Sequence, residues 1–464
     1  MSFEEMFPEY AGTGAIDELR EREYPHLDKE VYLDYTGAGV YALAQLRAHQ
    51  DRLSARAYGN PHSANPTSVA STELVESARR AVLRFLNADP DEYAVIFTPN
   101  ATGACRLVGE SYPFGRRSDL VMTFDNHNSV NGVREFARRA GVRLRYVPSV
   151  PPELRIEDSA VREAFGRGGL FAFPAQSNFT GVQHPLDWIE QAHQAGYDVL
   201  LDVAAYLPTN PLDLSVVKPD FVPISWYKVF GYPTGIGCLV ARRPALAKLT
   251  RPWFAGGTIA AVSVVGDWHQ MLTDESGFED GTLDFLNIPD IEFGLSWLGS
   301  IGVPTVRTRV RALTGWLLHR LAGLEHGNGA PMTRVYGPAG TAGRGGTVAF
   351  NFLDPDGAIV DERLVADEAA APGLSLRTGC FCNPGAGEGA FDIGRQRMRG
   401  HQRWGVRTID DYLELLGLPS GGAVRVSLGL MSNLADVETF LDFAATTYRD
   451  RRVDVAGLAP RLRC

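Results

Sequence analysis

The sequence is short of several things, and each shortage closes off a class of function. No run of residues is long and apolar enough to span a bilayer, so nothing reads as a membrane segment. Positive charge is not in excess: 45 Lys and Arg stand against 55 Asp and Glu, and the pI is near 5.6. That balance argues against a nucleic-acid partner or an anionic membrane surface. The N-terminus, MSFEEMFPEYAGTG, is acidic and has no apolar signal core, so a cytoplasmic location is expected. Cysteine is scarce. Cys105, Cys238, Cys380, Cys382 and Cys464 do not suggest a disulfide framework in a chain of 464 residues. Cys380 and Cys382 form a C-x-C pair, but no second pair or His cluster is spaced to complete a zinc site, and no metal is expected. Internal repeats and low-complexity segments are missing as well.

What is present is ordinary in bulk, 45% hydrophobic and 22% charged, as in a soluble globular protein. The length suits one large and one smaller domain. Residues 1–30 read as an arm with a short helix near Ala15–Glu23. Within residues 31–302, VYLDY reads as a strand before a turn, and from AVIFT on apolar strand segments (AVIFT, LVMTF, VRLRYVP, GLFAFPA, DVLLDVA, FVPIS, IGCLVAR) alternate with helical ones. That alternation predicts an α/β unit with a mostly parallel sheet covered by helices on both faces. From about Val303 the pattern changes to a smaller α+β unit, residues 303–464. It runs from a long helix through a Gly-rich stretch, TVAFNFLD, SLRTGCFCNPG and AVRVSLGL to a final helix, Asn433–Tyr448. The tail RRVDVAGLAPRLRC is expected to be poorly ordered.

Reactive residues punctuate this frame. Lys228 follows the apolar strand FVPIS among Trp226, Tyr227, Val229 and Phe230. Burying a charged lysine is costly, so its pKa should fall and its amine become nucleophilic, as a Schiff-base lysine requires. A surface lysine with its stem over apolar neighbours is the other reading. Thr98–Ala104, TPNATGA, joins a strand to a helix, and Thr98, Ala101 and Thr102 could meet an anion there; a plain turn capped by Thr102 is the alternative. His127 and Asn178 each follow a strand, where open α/β sheets bind ligands. Asp202 ends the apolar strand DVLLD, a costly place for a carboxylate without a cation. Arg377 offers a fork for a carboxylate, and Cys382 lies in a Gly/Asn/Pro loop expected to be mobile and exposed, beside that arginine. Taken in order, a phosphate turn, a flat imidazole, an Asp for a ring nitrogen and a Lys for an aldehyde fit pyridoxal phosphate.

The segments YLDYTGAG, YGNPHSANPTS, NHNSV with GVREFA, SNFTG, PTNPLDL, YKVFGYPTGIG, FEDGT and RTGCFCNPG carry a resemblance. From about Tyr32 to Phe443 the chain resembles the fold type I, class V aminotransferase superfamily, and within it the cysteine desulfurase-like domain of molybdenum cofactor sulfurases. The resemblance implies an enzyme with pyridoxal 5'-phosphate on Lys228, which would also move protons at the substrate α-carbon. It implies that Asp202 pairs with the pyridine N–H and that His127 stacks on the ring. Ala101, Thr102 and Ser225 would bind the phosphate. Gly281 and Thr282 would complete that site from a neighbouring subunit, so a homodimer is expected. Arg377, helped by Asn178, would hold the amino-acid carboxylate, and Cys382 would carry sulfur away as a persulfide. Two positions depart from many relatives. Ala205 stands where Gln is common after the aspartate, and Tyr227 where His precedes the lysine. Both suit the sulfurase-like branch. Full sulfurases carry a further domain for the molybdopterin acceptor. The chain is expected to lack it and to serve an unidentified sulfur acceptor, including one in specialised metabolism. A lyase or aminotransferase acting on another amino acid or a cysteine S-conjugate is the alternative chemistry.

Overall fold

Strands that are apolar on both faces are stable only when both faces are covered, and the chain meets that demand with one sheet set between helices. A computed structural model describes residues 1–464 apart from 62, 394–407, 417, 419, 453–457 and 462–464. After the arm, which carries the helix Ala15–Glu23, comes a short strand, β1 (Val31–Tyr32). Seven strands then build the main sheet: β2 (Tyr93–Thr98), β3 (Asp119–Thr123), β4 (Arg143–Val147), β5 (Gly169–Pro174), β6 (Tyr197–Asp202), β7 (Phe221–Ser225) and β8 (Gly237–Arg242). Their order is β2-β8-β7-β6-β5-β3-β4. Only β8 runs antiparallel to its neighbours, β2 and β7. Every residue of β3 and β7 is buried, which is why LVM and FVPI within them read as unbroken apolar runs. No helix among the described residues is long and apolar enough to cross a membrane.

Beyond the main sheet, β9 (Ile259–Ser263) and β10 (Trp268–Met271) form a two-stranded antiparallel ribbon that the sequence pattern did not disclose. Its residues are mostly exposed, so no burial pattern marks it. The remaining strands are β11 (Thr333–Tyr336), β12 (Thr347–Phe352), β13 (Leu374–Ser375), β14 (Arg377–Gly379) and β15 (Ala423–Ser427). An antiparallel sheet takes them in the order β11-β12-β15-β14. VYLDY supplies a strand, as read, but not to the main sheet. Instead β1 pairs in parallel with β13, and Asp34 bridges to Ser427. Of the tail expected to be poorly ordered, 453–457 and 462–464 lie outside the described residues. Arg461 anchors it, meeting Asp361 at 2.7 Å, Glu362 at 2.6 Å and Asp410 at 2.6 Å.

Parallel strands deliver their carboxyl ends to one edge of the sheet, so the loops after Thr98, Thr123, Pro174, Asp202 and Ser225 gather there. The antiparallel β8 begins at that same edge with Gly237, opposite both Ser225 and Thr98. A Cβ on Gly237 would lie 2.7 Å from the Asn100 Cα and overlap the Ile224 carbonyl. The strand can lie this close only without a side chain. Gly237→Ala is therefore expected to lower stability by roughly 1–3 kcal/mol, the usual cost of overpacking. Gly115→Ala, with nothing within 4 Å of its Cβ, is the control expected to change little in urea denaturation.

Candidate active site

The lysine turn shows how local sequence aims a side chain. Lys228 lies on a one-turn helix, Trp226–Phe230, directly after β7. Trp226 and Phe230 are four apart, share a face, and stack with ring centroids 5.8 Å apart in the core. Lys228, between them in sequence, faces the other way and is half-buried. Its amine makes no hydrogen bond or ion pair with any described residue. Desolvation pushes its pKa below the ordinary lysine range, and the nearby cations Arg425 and Arg377 push the same way, against Asp202 and Asp34. Two glycines bring the loop after β1 against this turn. The Gly39 N–H donates to the Tyr227 carbonyl at 2.9 Å, and Gly231 adopts φ 82° where a Cβ would collide with Val40 and Tyr41.

The neighbouring strand ends supply the rest. Asp202 is nine-tenths buried, and its Oδ1 accepts from the Ala204 N–H at 2.9 Å. No cation pairs with it among the described residues. His127 caps the short helix Asn128–Asn131, its Nδ1 accepting from the Ser129 N–H at 3.1 Å. That bond leaves the ring proton on Nε2. Burial, with Lys228 nearby, pushes the His127 pKa down and keeps the ring neutral. The turn after β2 is capped by Asn100 rather than Thr102. The Thr98 hydroxyl turns inward to the Asn100 carbonyl at 2.9 Å, and the Ala101 N–H donates to Ser225 Oγ at 2.9 Å. Thr102 Oγ1 is 2.7 Å from Ser129 Oγ, linking the turn to the histidine cap.

Across the site stands a cluster that sequence reasoning found only in part. Arg377 on β14 and Arg425 on β15 are direct cross-strand partners. Asp34 lies between them, 2.7 Å from Arg377 Nη2 and 2.8 Å from Arg425 Nη2. Arg377 is half exposed, whereas Arg425 is buried with no acceptor for its Nε among the described residues. The missed signal was a charged residue inside the otherwise apolar strand AVRVS, which must be paired somewhere.

Cys382 is not exposed, in contrast to expectation. It is half-buried in a loop pinned from several sides. The Asn128 N–H donates to the Cys382 carbonyl at 2.8 Å, and Asn178 Nδ2 donates to the Phe381 carbonyl at 2.9 Å. Asn383 Nδ2 reaches both the Asp125 carbonyl at 2.7 Å and Asn178 Oδ1 at 2.8 Å. Phe381 and Cys382 both take left-handed backbone, at φ 56° and 53°, a strained conformation the bonds hold in place. Asn178 thus stands under the cysteine loop. Cys380 is disulfide-bonded, so of the C-x-C pair only Cys382 is a free thiol.

The structure thereby gathers Lys228, His127, Asp202, Ala101, Thr102, Ser225, Asn178, Arg377 and Cys382 at one edge. Thr282 lines a cavity with Thr98 and Gly103 beside the turn after β2. Thr282 is exposed and accepts from Asn60 Nδ2 at 3.2 Å, and Gly281 has φ 72°. The unmatched groups define what the site can take. An amine without a carboxylate, a buried carboxylate without a cation and a hydroxyl at a helix N-terminus fit an aldehyde-bearing ring with a protonated nitrogen and a phosphate.

Comparison with known proteins adds independent findings. Residues 31–440 match the aminotransferase class-V family. Molybdenum cofactor sulfurase of Solanum lycopersicum is 35% identical over 96% of this chain and 59% of its own length. The Homo sapiens protein of that name is 34% identical over 94% of this chain and 52% of its own. The chain thus spans little more than half of these relatives. Among solved structures, a cysteine desulfurase from Thermococcus onnurineus superposes with TM-score 0.77 at 22% identity, covering 93% of this chain and 97% of that one. The cystine C–S lyase C-DES, in complex with its product cysteine persulfide, gives 0.71 at 19% identity over 92% of this chain and 100% of that one. A C-DES variant with glycine covalently linked to the PLP cofactor gives 0.71 at 18% over 92% and 98%. These structural likenesses establish the fold, a largely parallel sheet flanked by helices, and the family match establishes the kinship: the chain is a member of the aminotransferase class-V family.

Proposed function

We propose that this chain is a pyridoxal 5'-phosphate-dependent cysteine desulfurase-like enzyme that takes sulfur from L-cysteine or a related sulfur amino acid. The observation that carries the reading is the placement of a free thiol, Cys382, at the edge that holds Lys228, Asp202 and His127. Lys228 would hold the cofactor through its amine. Asp202 would accept the ring N–H, and His127 would lie against the ring. Thr102, with Ala101 and Ser225, would bind the phosphate. When bound, that cofactor draws electrons from the substrate α-carbon.

The chain's own groups would do the rest. Arg377 and Arg425 present two positive charges to the single carboxylate of Asp34, which leaves room for the α-carboxylate of a substrate. The Lys228 amine, whose pKa burial lowers, would take the α-proton and later return a proton. The Cys382 thiolate would attack the substrate sulfur as the carbon–sulfur bond breaks. Alanine then leaves, and Cys382 keeps the sulfur as a persulfide. Asn178 and Asn383 act by positioning that loop. The persulfide would then pass its outer sulfur to an acceptor.

We further read residues 1–30 as an arm, 31–302 as the large unit and 303–464 as the small one. A homodimer is supported by exposed apolar side chains near the ribbon: Trp253, Phe254, Val264, Val265 and Trp268. Gly281 and Thr282 would then serve the partner's phosphate site. Equilibrium sedimentation is expected to give twice the chain mass, and a monomer at micromolar concentration would refute the pairing.

The decisive assay gives cofactor-loaded protein L-cysteine and a reductant. Wild type is expected to release alanine and sulfide, and Cys382→Ser to lose sulfur transfer by on the order of 10²-fold or more. Pyruvate and ammonia from both proteins would instead mean C–S lyase chemistry on the same site. A pH titration reads the lysine separately. Attachment of the cofactor needs the uncharged amine, so its midpoint is expected below that of free lysine. Arg377→Gln removes a cation that depresses the Lys228 pKa, so the midpoint should rise. A midpoint that stays or falls would show that Arg377 does not act on Lys228.

A further inference from the structure

Away from the cysteine loop, a cleft separates the helix Val303–Ala322 from the Gly-rich segment 337–346. Arg307, Arg311, Arg344, Gln183, Asn210 and Thr341 line it. Arg307 and Arg311 are four apart, lie on one helix face, and are exposed. Neither makes a hydrogen bond or ion pair with a described residue. No carboxylate is among the lining groups.

The floor of the cleft carries a second, independent anomaly. Arg344 is 5% exposed and pairs with no carboxylate among the described residues. Its guanidinium donates only to carbonyls, those of Thr180 at 2.8 Å, Thr347 at 2.7 Å and Pro338. Its Nε has no acceptor there. Burial, with Arg155 nearby, pushes its pKa down to about 10, so it still carries its charge at neutral pH. A buried charge with no counter-charge is costly, and an anion over it would remove much of that cost. Thr209 and Gly346 line both this cleft and the small cavity against Lys228.

We propose that this cleft binds the phosphate group of a small-molecule phosphomonoester, met by Arg307 and Arg311 above Arg344. A monocarboxylate has one charge and is satisfied by one arginine fork. A phosphomonoester dianion has two charges and three terminal oxygens, and matches a trio of guanidiniums. The cleft itself, about 230 Å³, gives the ester's organic part somewhere to lie.

Calorimetric titration of the cofactor-loaded protein tests this, with the cofactor filling the groups at Thr102. Phenyl phosphate and inorganic phosphate are the probes, against wild type and Arg307→Ala/Arg311→Ala. Both arginines are exposed, so the variant should fold, and circular dichroism checks it. One phenyl phosphate per chain is expected, weakened by at least about tenfold in the variant and by added salt. Inorganic phosphate should compete more weakly. Equal binding by wild type and variant, or no binding, would overturn the site, and inorganic phosphate binding as tightly as phenyl phosphate would overturn its assignment to an ester. The difference between wild type and variant reads this cleft whether or not the chain proves to be a desulfurase.

Discussion

The Asp34 carboxylate holds together parts of the chain that are hundreds of residues apart. Arg377 and Arg425 face each other across β14 and β15, and like charges so placed repel. Asp34, brought in by the loop after β1, lies within 2.8 Å of both. Arg425 then reaches on, donating from Nη1 to the Asn178 carbonyl at 3.0 Å and lying 4.7 Å over the Phe381 ring. One ion cluster therefore joins the arm side of the chain, the small sheet, the loop after β5 and the cysteine loop. Breaking a buried pair of this kind costs roughly 3–5 kcal/mol, so the geometry of the site rests on it.

The same cluster sets the electrostatics around Lys228. Desolvation is the larger effect, and it favours the neutral amine. Asp202 and Asp34 oppose it, but each is balanced or outweighed by an arginine or by burial. His127 follows the same logic and stays neutral. The thiol at Cys382 is positioned by hydrogen bonds from Asn128 and Asn178 rather than left on a free loop. The Cys382 side chain is thereby half-buried.

Much of this was legible before any coordinates. Apolar runs broken by one reactive residue marked Lys228 and Asp202, because a polar group at the end of a buried strand is costly without a purpose. The alternation of strands and helices marked the sheet. Arg425 escaped notice because its partner, Asp34, is 391 residues away in sequence. Asn383 looked like an ordinary loop residue, and its bonds to Asp125 and Asn178 exist only once three strand ends meet. The exposed ribbon β9–β10 had no burial pattern to betray it, and the anchoring of Arg461 depended on carboxylates from two other elements.

By itself the sequence determined the local choices: which segments are strands, where each run stops, and which side chain stands at each stop. Periodicity, apolar content and turn chemistry act over a few residues, so they are readable along the chain. Tertiary structure decided the pairings. Strand order placed five loops at one edge, registered Arg377 against Arg425, and closed the cysteine loop onto the histidine cap. Those outcomes depend on burial and charge compensation between distant segments, and neither has a signature in local spacing.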